Sequence, residues 1–309
     1  MVRISAIVPA ADGARTLDAC VRAIRAAEDG PDEVIVIVDK DRDGPAAARN
    51  AGARDATGDV LVFVDADVVV HRDAFKRIRT AFSAEPGLTA LFGSYDHEPS
   101  APGVVSAFRN LLHHHVHQVG GGEATTFWAG LGAVRKDAFV AAGGFDETRY
   151  RVPSIEDVEL GMRLADRGAR IVLAPDVQGT HLKAWNLPEM LHNDFSRRGV
   201  PWVRLLLERG SSSSALNLGW RHRMSALAAG GLVVAAATGR RRVVVGACAA
   251  LVVLNGSFYV LLLRRRGAAQ AVVGVGLHAL HHLAGGASVP AGIVAHALSR
   301  RRDATGRVR

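Results

Sequence analysis

The sequence predicts an α/β domain on a doubly wound, mostly parallel sheet, followed by an amphipathic segment and an α-helical membrane region. Three observations predict it. Short β-rich runs alternate with helical patterns through the front of the chain, the rhythm of βαβ units. The charge divides sharply: Met1–Arg209 holds 25 Lys and Arg against 29 Asp and Glu, and Gly210–Arg309 holds 13 against 1. The basic part is also the most apolar, with no acidic residue between Glu208 and Asp303. Apolar runs bordered by Arg are the composition of membrane spans.

The elements follow in order. Arg3–Pro9 reads as a short apolar strand, and Ala14–Glu28 places Leu17, Val21 and Ile24 at helical spacing. Glu33–Val38 (EVIVIV) is a second strand, Pro45–Ala56 an Ala-rich helix and Asp59–Val64 (DVLVFV) a third strand. Arg72–Ala84 reads as a helix and Leu88–Phe92 as a fourth strand. Ligands of such sheets bind at the carboxyl ends of the strands. Those ends carry Pro9-Ala-Ala-Asp12, Asp39 and Asp65-Ala-Asp67. Farther on, Val104–Val119 and Glu156–Arg167 read as helices and Arg170–Leu173 as a strand, while Ala124–Val134 mixes strand and loop.

Pro188–Arg209 is amphipathic, with interruptions expected at Gly199 and Pro201. Ser211–Ser214 reads as a flexible joint. Apolar segments then cover about 224–239, 243–263 and 268–298, separated by Arg triplets. The second runs 21 residues without a charge, long enough to span a bilayer. The expected organisation is a catalytic domain over 1–186, an interfacial segment and linker over 187–215 and a transmembrane region over 216–309. The overall charge of +8 therefore belongs to the tail. The front domain is net negative, which argues against nucleic acid as a partner. The two cysteines, Cys20 and Cys248, form no disulfide framework. The apolar opening is too short for a signal peptide, which leaves the front domain expected in the cytoplasm.

The sharpest chemical signal is Asp65-Ala-Asp67 directly after a strand. Two carboxylates two residues apart can meet one hard cation, and Mg²⁺ favours one or two carboxylates plus phosphate oxygens. Taken alone, the same pattern also describes a solvated acidic turn. Its context is the ordered set Ile7-Val8-Pro9, Asp39, Ala48-Arg49-Asn50-Ala51-Gly52, Gly58-Asp59 and Asp65-Ala66-Asp67. A second block holds Gly130-Leu-Gly132, Gly143-Gly-Phe-Asp146, Glu156-Asp157-Val-Glu159-Leu160-Gly-Met-Arg163-Leu164 and His181. In this order and spacing, from residue 3 to about 205, the chain resembles family-2 glycosyltransferases.

That resemblance implies a GT-A fold, a nucleotide-diphosphate sugar as donor (a UDP-sugar favoured) and Mg²⁺ or Mn²⁺. It implies that Pro9, Ala10, Asp12, Asp39, Arg49 and Asp65 bind the nucleotide sugar. Asp67, with Asp65 and His181, would hold the metal, and Asp157, with Glu156 beside it, would be the general base. Asp157 also suits a plain helix N-terminus, where the macrodipole favours a carboxylate. Asp12-Gly13 stands where members commonly carry Asn-Glu, and Lys40 replaces a usual second acid.

Trp128 and Gly130 fall where the family forms its acceptor wall, and Arg198 and Trp202 where membrane-associated members place an acceptor-facing helix. Trp202 fits two roles, stacking on a sugar or lying at the headgroup level. The missing Q-x-x-R-W pattern argues against a processive polymerase. Consecutive helical residues point in different directions, so His113, His114, His115 and His117 cannot all face one ion. His278, His281 and His282 are ionisable groups in an apolar run and so functional candidates. The expected function is transfer of one sugar to a hydroxyl of a lipid or lipid-linked acceptor. The expected location is the cell membrane, multi-pass, with the catalytic domain on the cytoplasmic side. The alternatives are a polyprenyl-phosphate glycosyltransferase and a non-catalytic transferase-like membrane scaffold.

Overall fold

The computed structural model describes residues 2–210 and 219–306; the Ser211–Ser214 joint lies outside them. The chain divides into two compact units, Met1–Pro102 with His113–Ala184, and Gly103–Leu112 with Trp185–Arg309.

The first unit is built on one sheet. Strands β1 (Ile4–Ala11), β2 (Glu33–Asp39) and β3 (Val60–Val64) are parallel in the order β2-β1-β3. Helix α1 (Leu17–Arg25) connects the first two and α2 (Pro45–Asp55) returns to the third. β1 and β3 are buried almost throughout, as apolar strands covered on both faces should be. Gly52 lets α2 lie directly on β1: a Cβ there would stand 2.5 Å from Ile7 Cγ2.

The remaining strands are β4 (Val68–Val70), β5 (Leu88–Tyr95), β6 (Gly122–Ala124), β7 (Leu131–Arg135) and β8 (Arg170–His181), and the full order is β2-β1-β3-β7-β5-β8-β4 with β6 paired to β8. Here the expectation of a mostly parallel sheet needs correction. β7 runs antiparallel to both β3 and β5, and β4 and β6 run antiparallel to β8, so the sheet is mixed. The physical reason is the connection. A helical crossover delivers the next strand parallel, whereas β4 follows β3 after a tight turn and β7 enters from a loop. β4 and β6 are three residues each, too short for a periodic signal. Around the sheet lie α3 (Ala74–Ala84), α5 (Lys136–Ala141) and α6 (Glu156–Asp166), while α4 (Val104–Val119) begins in the second unit and ends in the first.

The second unit is helical. α7 (Leu187–His192) starts with a capping box made by Asn186 and Glu189. It leads into a π-helical stretch, Asn193–Gly199, and then α8 (Val200–Arg209). The run is continuous, which corrects the expected breaks at Gly199 and Pro201. Pro201 falls in the first turn of α8, where its missing N–H is tolerated. Gly199 serves close packing, since a Cβ there would stand 2.4 Å from Ser288 Oγ.

α9 (Trp220–Ala237) and α10 (Arg241–Gly306) make up the tail. α10 is not one rod. Gly267 has φ 77° and ψ 173°, a conformation open essentially to glycine. The chain doubles back there: a Cβ on Gly274 would meet Leu262 Cδ1 at 2.7 Å, and the Phe258 and His278 rings are 5.0 Å apart. Asn255 is a second irregular point, its amide donating to Leu251 O and to Ser225 Oγ on α9. The stretch Arg241–Arg300 is long and apolar enough to cross a membrane by length and composition.

Candidate active site

The carboxyl ends of the parallel strands converge as the sequence predicts. Pro9 and Ala10 are buried at the end of β1, beside Ile37 and Val38 of β2. Ala11 pairs with Asp39. The Asp39 carboxylate accepts from the backbone N–H of Asp43 (2.9 Å) and Gly44 (2.8 Å) and so shapes the loop before α2. Asp12 is exposed in the turn after β1.

Arg49 is the hub of the site. It is 5% exposed, and its guanidinium donates from Nη2 to Asp65 Oδ1 at 2.7 Å and from Nη1 to Glu156 Oε1 at 2.9 Å. Burial opposes its charge, but Asp65, Glu156 and Asp157 more than offset this and raise its pKa above the ordinary value. Glu156 Oε2 also accepts from the Ser154 backbone N–H. Both Glu156 oxygens are thus committed to organising the start of α6.

Asp157 is the next residue and is oriented differently. Its Oδ2 accepts from the Ala129 N–H at 3.1 Å and its Oδ1 from the Val158 N–H at 2.8 Å. The neighbouring Gly130 carbonyl accepts from the Asp65 N–H at 3.1 Å. The loop 128–130 therefore links the Asp65 turn to Asp157. Trp128 folds over Gly130, where a Cβ would stand 2.3 Å from Cζ2. Gly161 brings α6 onto that loop, its would-be Cβ lying 2.2 Å from Phe127 N.

Asp67 lies one turn past Asp65, and its Oδ2 is 3.5 Å from His181 Nε2. The register Val68↔His181 between β4 and β8 produces this meeting. Burial alone would raise the Asp67 pKa, but the His181 contact and the Lys183 charge hold it below the usual value. His181 is itself clamped, stacked on Tyr95 with centroids 4.1 Å apart and planes at 11°. Tyr95 also meets Trp128 edge-on at 4.9 Å. Beneath Asp65, the Cys20 thiol contacts the Asp65 carbonyl at 3.5 Å; burial, then Asp65 and Asp67, push its pKa up to about 12.

The two sequence blocks are joined by Asn50. Its amide donates to Phe145 O at 2.9 Å and its oxygen accepts from Phe145 N at 2.9 Å, across 95 positions. Gly143 and Gly144, at φ 84° and 69°, form that turn.

Residues 7–140 match the sequence model described as Glycosyl transferase family 2. These residues are a glycosyl transferase family 2 domain.

The structure of the glycosyltransferase aligns with the mannosyltransferase PcManGT from Pyrobaculum calidifontis, solved in complex with GDP-Man and Mn²⁺. The TM-score is 0.53 at 15% identity, over 96% of this chain and 87% of that one. That likeness concerns the fold, which is GT-A. GalNAc-T7 with UDP, GalNAc and Mn²⁺ aligns at a TM-score of 0.48 and 16% identity, over 67% of this chain and 48% of that one. Staphylococcus (S. aureus) TarS aligns at 0.43 and 18%, over 67% and 42%. No curated protein sequence matches the chain.

The structure thus brings together Arg49, Asp65, Asp67, Trp128, Gly130, Glu156, Asp157 and His181 of the glycosyltransferase domain. Arg198 and Trp202 are half-buried in the second unit, on the helical run 193–209. Sequence reasoning missed Tyr95 and Lys183. Tyr95 ends a strand that runs three residues past the expected Phe92, and strand ends were the available signal. The histidines of α4 have other work: His114 and His117 bond the backbone carbonyls of Tyr95 and Gly93, each at 2.8 Å. Among the described residues, no three His, Cys, Asp or Glu side chains are arranged to hold a metal.

Proposed function

We propose that the protein is a membrane-anchored, inverting glycosyltransferase. It moves a single sugar from a nucleotide-diphosphate sugar, a UDP-sugar by family resemblance, to a hydroxyl of a lipid or lipid-linked acceptor. The observation that carries the reading is the Arg49 hub: it fixes Asp65 beside Asp67 on one side and the Glu156-Asp157 start of α6 on the other.

In this reading Pro9, Ala10, Asp12 and Asp39 border the nucleoside, and Arg49 and Asp65 the sugar-nucleotide. Trp128 and Gly130 form one acceptor wall, and Arg198 and Trp202 belong to the acceptor-facing helical run. Asp67 and His181, with Asp65 next to them, suit Mg²⁺ or Mn²⁺. Two protein ligands are enough where diphosphate oxygens and water complete the shell, so the lack of a three-ligand set fits. When bound, such an ion neutralises charge on the departing diphosphate. PcManGT was solved with Mn²⁺, which supports the same choice.

The acceptor oxygen attacks the anomeric carbon as the bond to the diphosphate oxygen breaks, and the electron pair leaves with the nucleotide. Asp157 takes the acceptor proton. Each of its oxygens accepts one backbone N–H, which orients the carboxylate. Glu156, held by Arg49 and Ser154, positions rather than reacts. Attack from the face opposite the leaving group inverts the centre.

The tail is the proposed anchor, placing the catalytic domain of 1–186 at the cytoplasmic face of the cell membrane. The run 187–215 lies at the interface and 216–309 forms the multi-pass membrane region. A straight helix of 60 residues would be about 90 Å long, some three times a bilayer core. The reversal at Gly267 divides that length into two legs of spanning size.

The test is nucleotide release by the full-length protein in lipid. UDP-, GDP- and dTDP-sugars are supplied with a native lipid extract, with Mg²⁺ or Mn²⁺ and with EDTA. Metal-dependent release from one donor, raised by the extract and abolished in Asp67→Ala, is expected. Release with a soluble acceptor alone, undiminished without residues 216–309, overturns the lipid assignment.

A further inference from the structure

The second unit holds a polar cluster that its apolar composition does not require. Four imidazoles gather on α9 and the returning leg of α10. His278 and His282 have centroids 4.3 Å apart, His222 and His282 4.7 Å, and His222 and His281 5.6 Å. Asp194, on the π-helical stretch and 5% exposed, joins them: its carboxylate accepts from His281 Nδ1 at 2.7 Å and from Arg109 Nη1 at 2.7 Å. π-Helical turns are frequent at functional sites.

The cluster is incompletely satisfied. His281 Nε2 and both ring nitrogens of His282 are buried with no hydrogen-bond partner, and His282 is only 1% exposed. An imidazole carries at least one N–H in either tautomer, so His282 keeps a buried donor that lacks an acceptor. Buried polar groups are hydrogen-bonded as a rule, and each exception calls for a partner. The missing partner is therefore an acceptor.

Charge indicates its sign. Asp194 is matched by Arg109, and the positive charge of Arg198 also reaches it. The tail offers no further anion, since no acidic residue lies between Glu208 and Asp303. A cation is disfavoured, because the positive charges of Arg109 and Arg198 act at the same place. An anion with several acceptor oxygens fits both the orphaned nitrogens and the surplus charge.

We propose that the His222–His278–His281–His282 cluster binds a phosphate group carried by an amphiphile. The phosphate oxygens accept from His282 and, when its ring carries a second proton, from His281 Nε2. The apolar helices take the chain. This goes beyond the transfer reading and does not depend on it, since binding is measured without turnover.

The test uses full-length protein in a neutral detergent, followed by calorimetry and by the ³¹P line width of the ligand. The probes are dodecyl phosphate, dodecanol and inorganic phosphate. Dodecyl phosphate is expected to bind at least ten-fold more tightly than dodecanol. His282→Leu and His281→Gln are expected to weaken it at least ten-fold, and Val272→Leu, at an exposed position, to leave it unchanged. Thermal midpoints report whether each variant folds. Where one does not, the comparison of phosphate with alcohol on the unaltered protein still decides. Inorganic phosphate binding as tightly as dodecyl phosphate would assign the site to free phosphate and overturn the amphiphile. Equal binding of dodecyl phosphate and dodecanol, or unchanged binding in both folded variants, would overturn the proposal.

Discussion

Arg49 and Glu156, 107 positions apart in the chain, share a buried hydrogen bond of 2.9 Å. The same guanidinium reaches Asp65, so one side chain ties the third strand end to the α6 start. Removing one partner of a buried ion pair leaves charge uncompensated, at about 3–5 kcal/mol. Arg49→Ala is expected to lose stability of that order, measured by denaturant unfolding, together with activity. Arg49→Lys is expected to recover only part of both, because an ammonium cannot fork between two carboxylates as a planar guanidinium does.

Asp157 and Glu156 are neighbours with different partners, and the proposed mechanism gives them different work. Asp157→Asn keeps the shape and can still accept at its amide oxygen, but it takes up no proton. Turnover is expected to fall by about two orders of magnitude or more, the range of general-base contributions, with donor affinity unchanged by calorimetry. Near-normal turnover would point to an already ionised phosphate as the acceptor.

Tyr95 stacks on His181, and in the proposed metal site it would act through that ring as a positioning residue. Groups that orient a metal ligand typically affect metal affinity by about 10–100-fold. Tyr95→Leu is expected to raise the half-saturating Mn²⁺ concentration within that range, read by the electron paramagnetic resonance of bound Mn²⁺ with nucleoside diphosphate present. Tyr95→Phe, which keeps the ring, is expected to stay near the starting value. Equal affinity in all three would show the stack to be structural packing only.

His71 donates to the Asp96 carboxylate at 3.0 Å, which raises the His71 pKa above 6.5 despite partial burial. Burial would raise Asp96, but His71 and Thr180 hold it below 3.8. A histidine raised on folding adds stability that is full below its unfolded value and lost as pH rises through the folded one. The deficit of His71→Gln in thermal midpoint is therefore expected to be largest between the two pKa ranges, around pH 5, and to shrink above pH ~7. A deficit independent of pH would assign the contact to packing.

Much of this was legible in the sequence, and the remainder was not for identifiable reasons. The first three strands were legible because strands of a parallel sheet are near-continuous apolar runs, although β1 continues past Pro9 to Ala11 and β2 past Val38 to Asp39. The placement of Asp65-Ala-Asp67 just after β3 and of Asp157 in the first turn of α6 was legible too, because each follows directly on a strong strand or helix pattern. Spacing does not show that Asn50 latches Phe145, nor that Arg49 spans two carboxylates, because those contacts exist only after folding. The direction of β7 was hidden too, since periodicity is the same for parallel and antiparallel neighbours. Pro201 misled because a proline signals a break only when it falls beyond the first turn of its helix.

Gly267 offers the sharpest test of the tail. Arg264–Arg266 marked a boundary in the sequence, but the reversal depends on the residue after the triplet. At φ 77° and ψ 173° a Cβ meets its own backbone, a conformation costing about 1–3 kcal/mol for other residues. A Cβ at this position meets no other atom within 4 Å, so any loss in Gly267→Ala comes from the backbone alone. Gly276 is the control: it is helical and its would-be Cβ is also unopposed, so Ala there is expected to be neutral or to stabilise by about 0.5–1 kcal/mol. In detergent, Gly267→Ala is expected to lower the unfolding midpoint and Gly276→Ala not to. The same pair can be read with spin labels on positions 258 and 278, whose rings are 5.0 Å apart across the reversal. A Gly267→Ala protein that keeps both its midpoint and that short distance would rule out the glycine as the cause of the reversal, because a residue with a side chain would then turn the chain equally well.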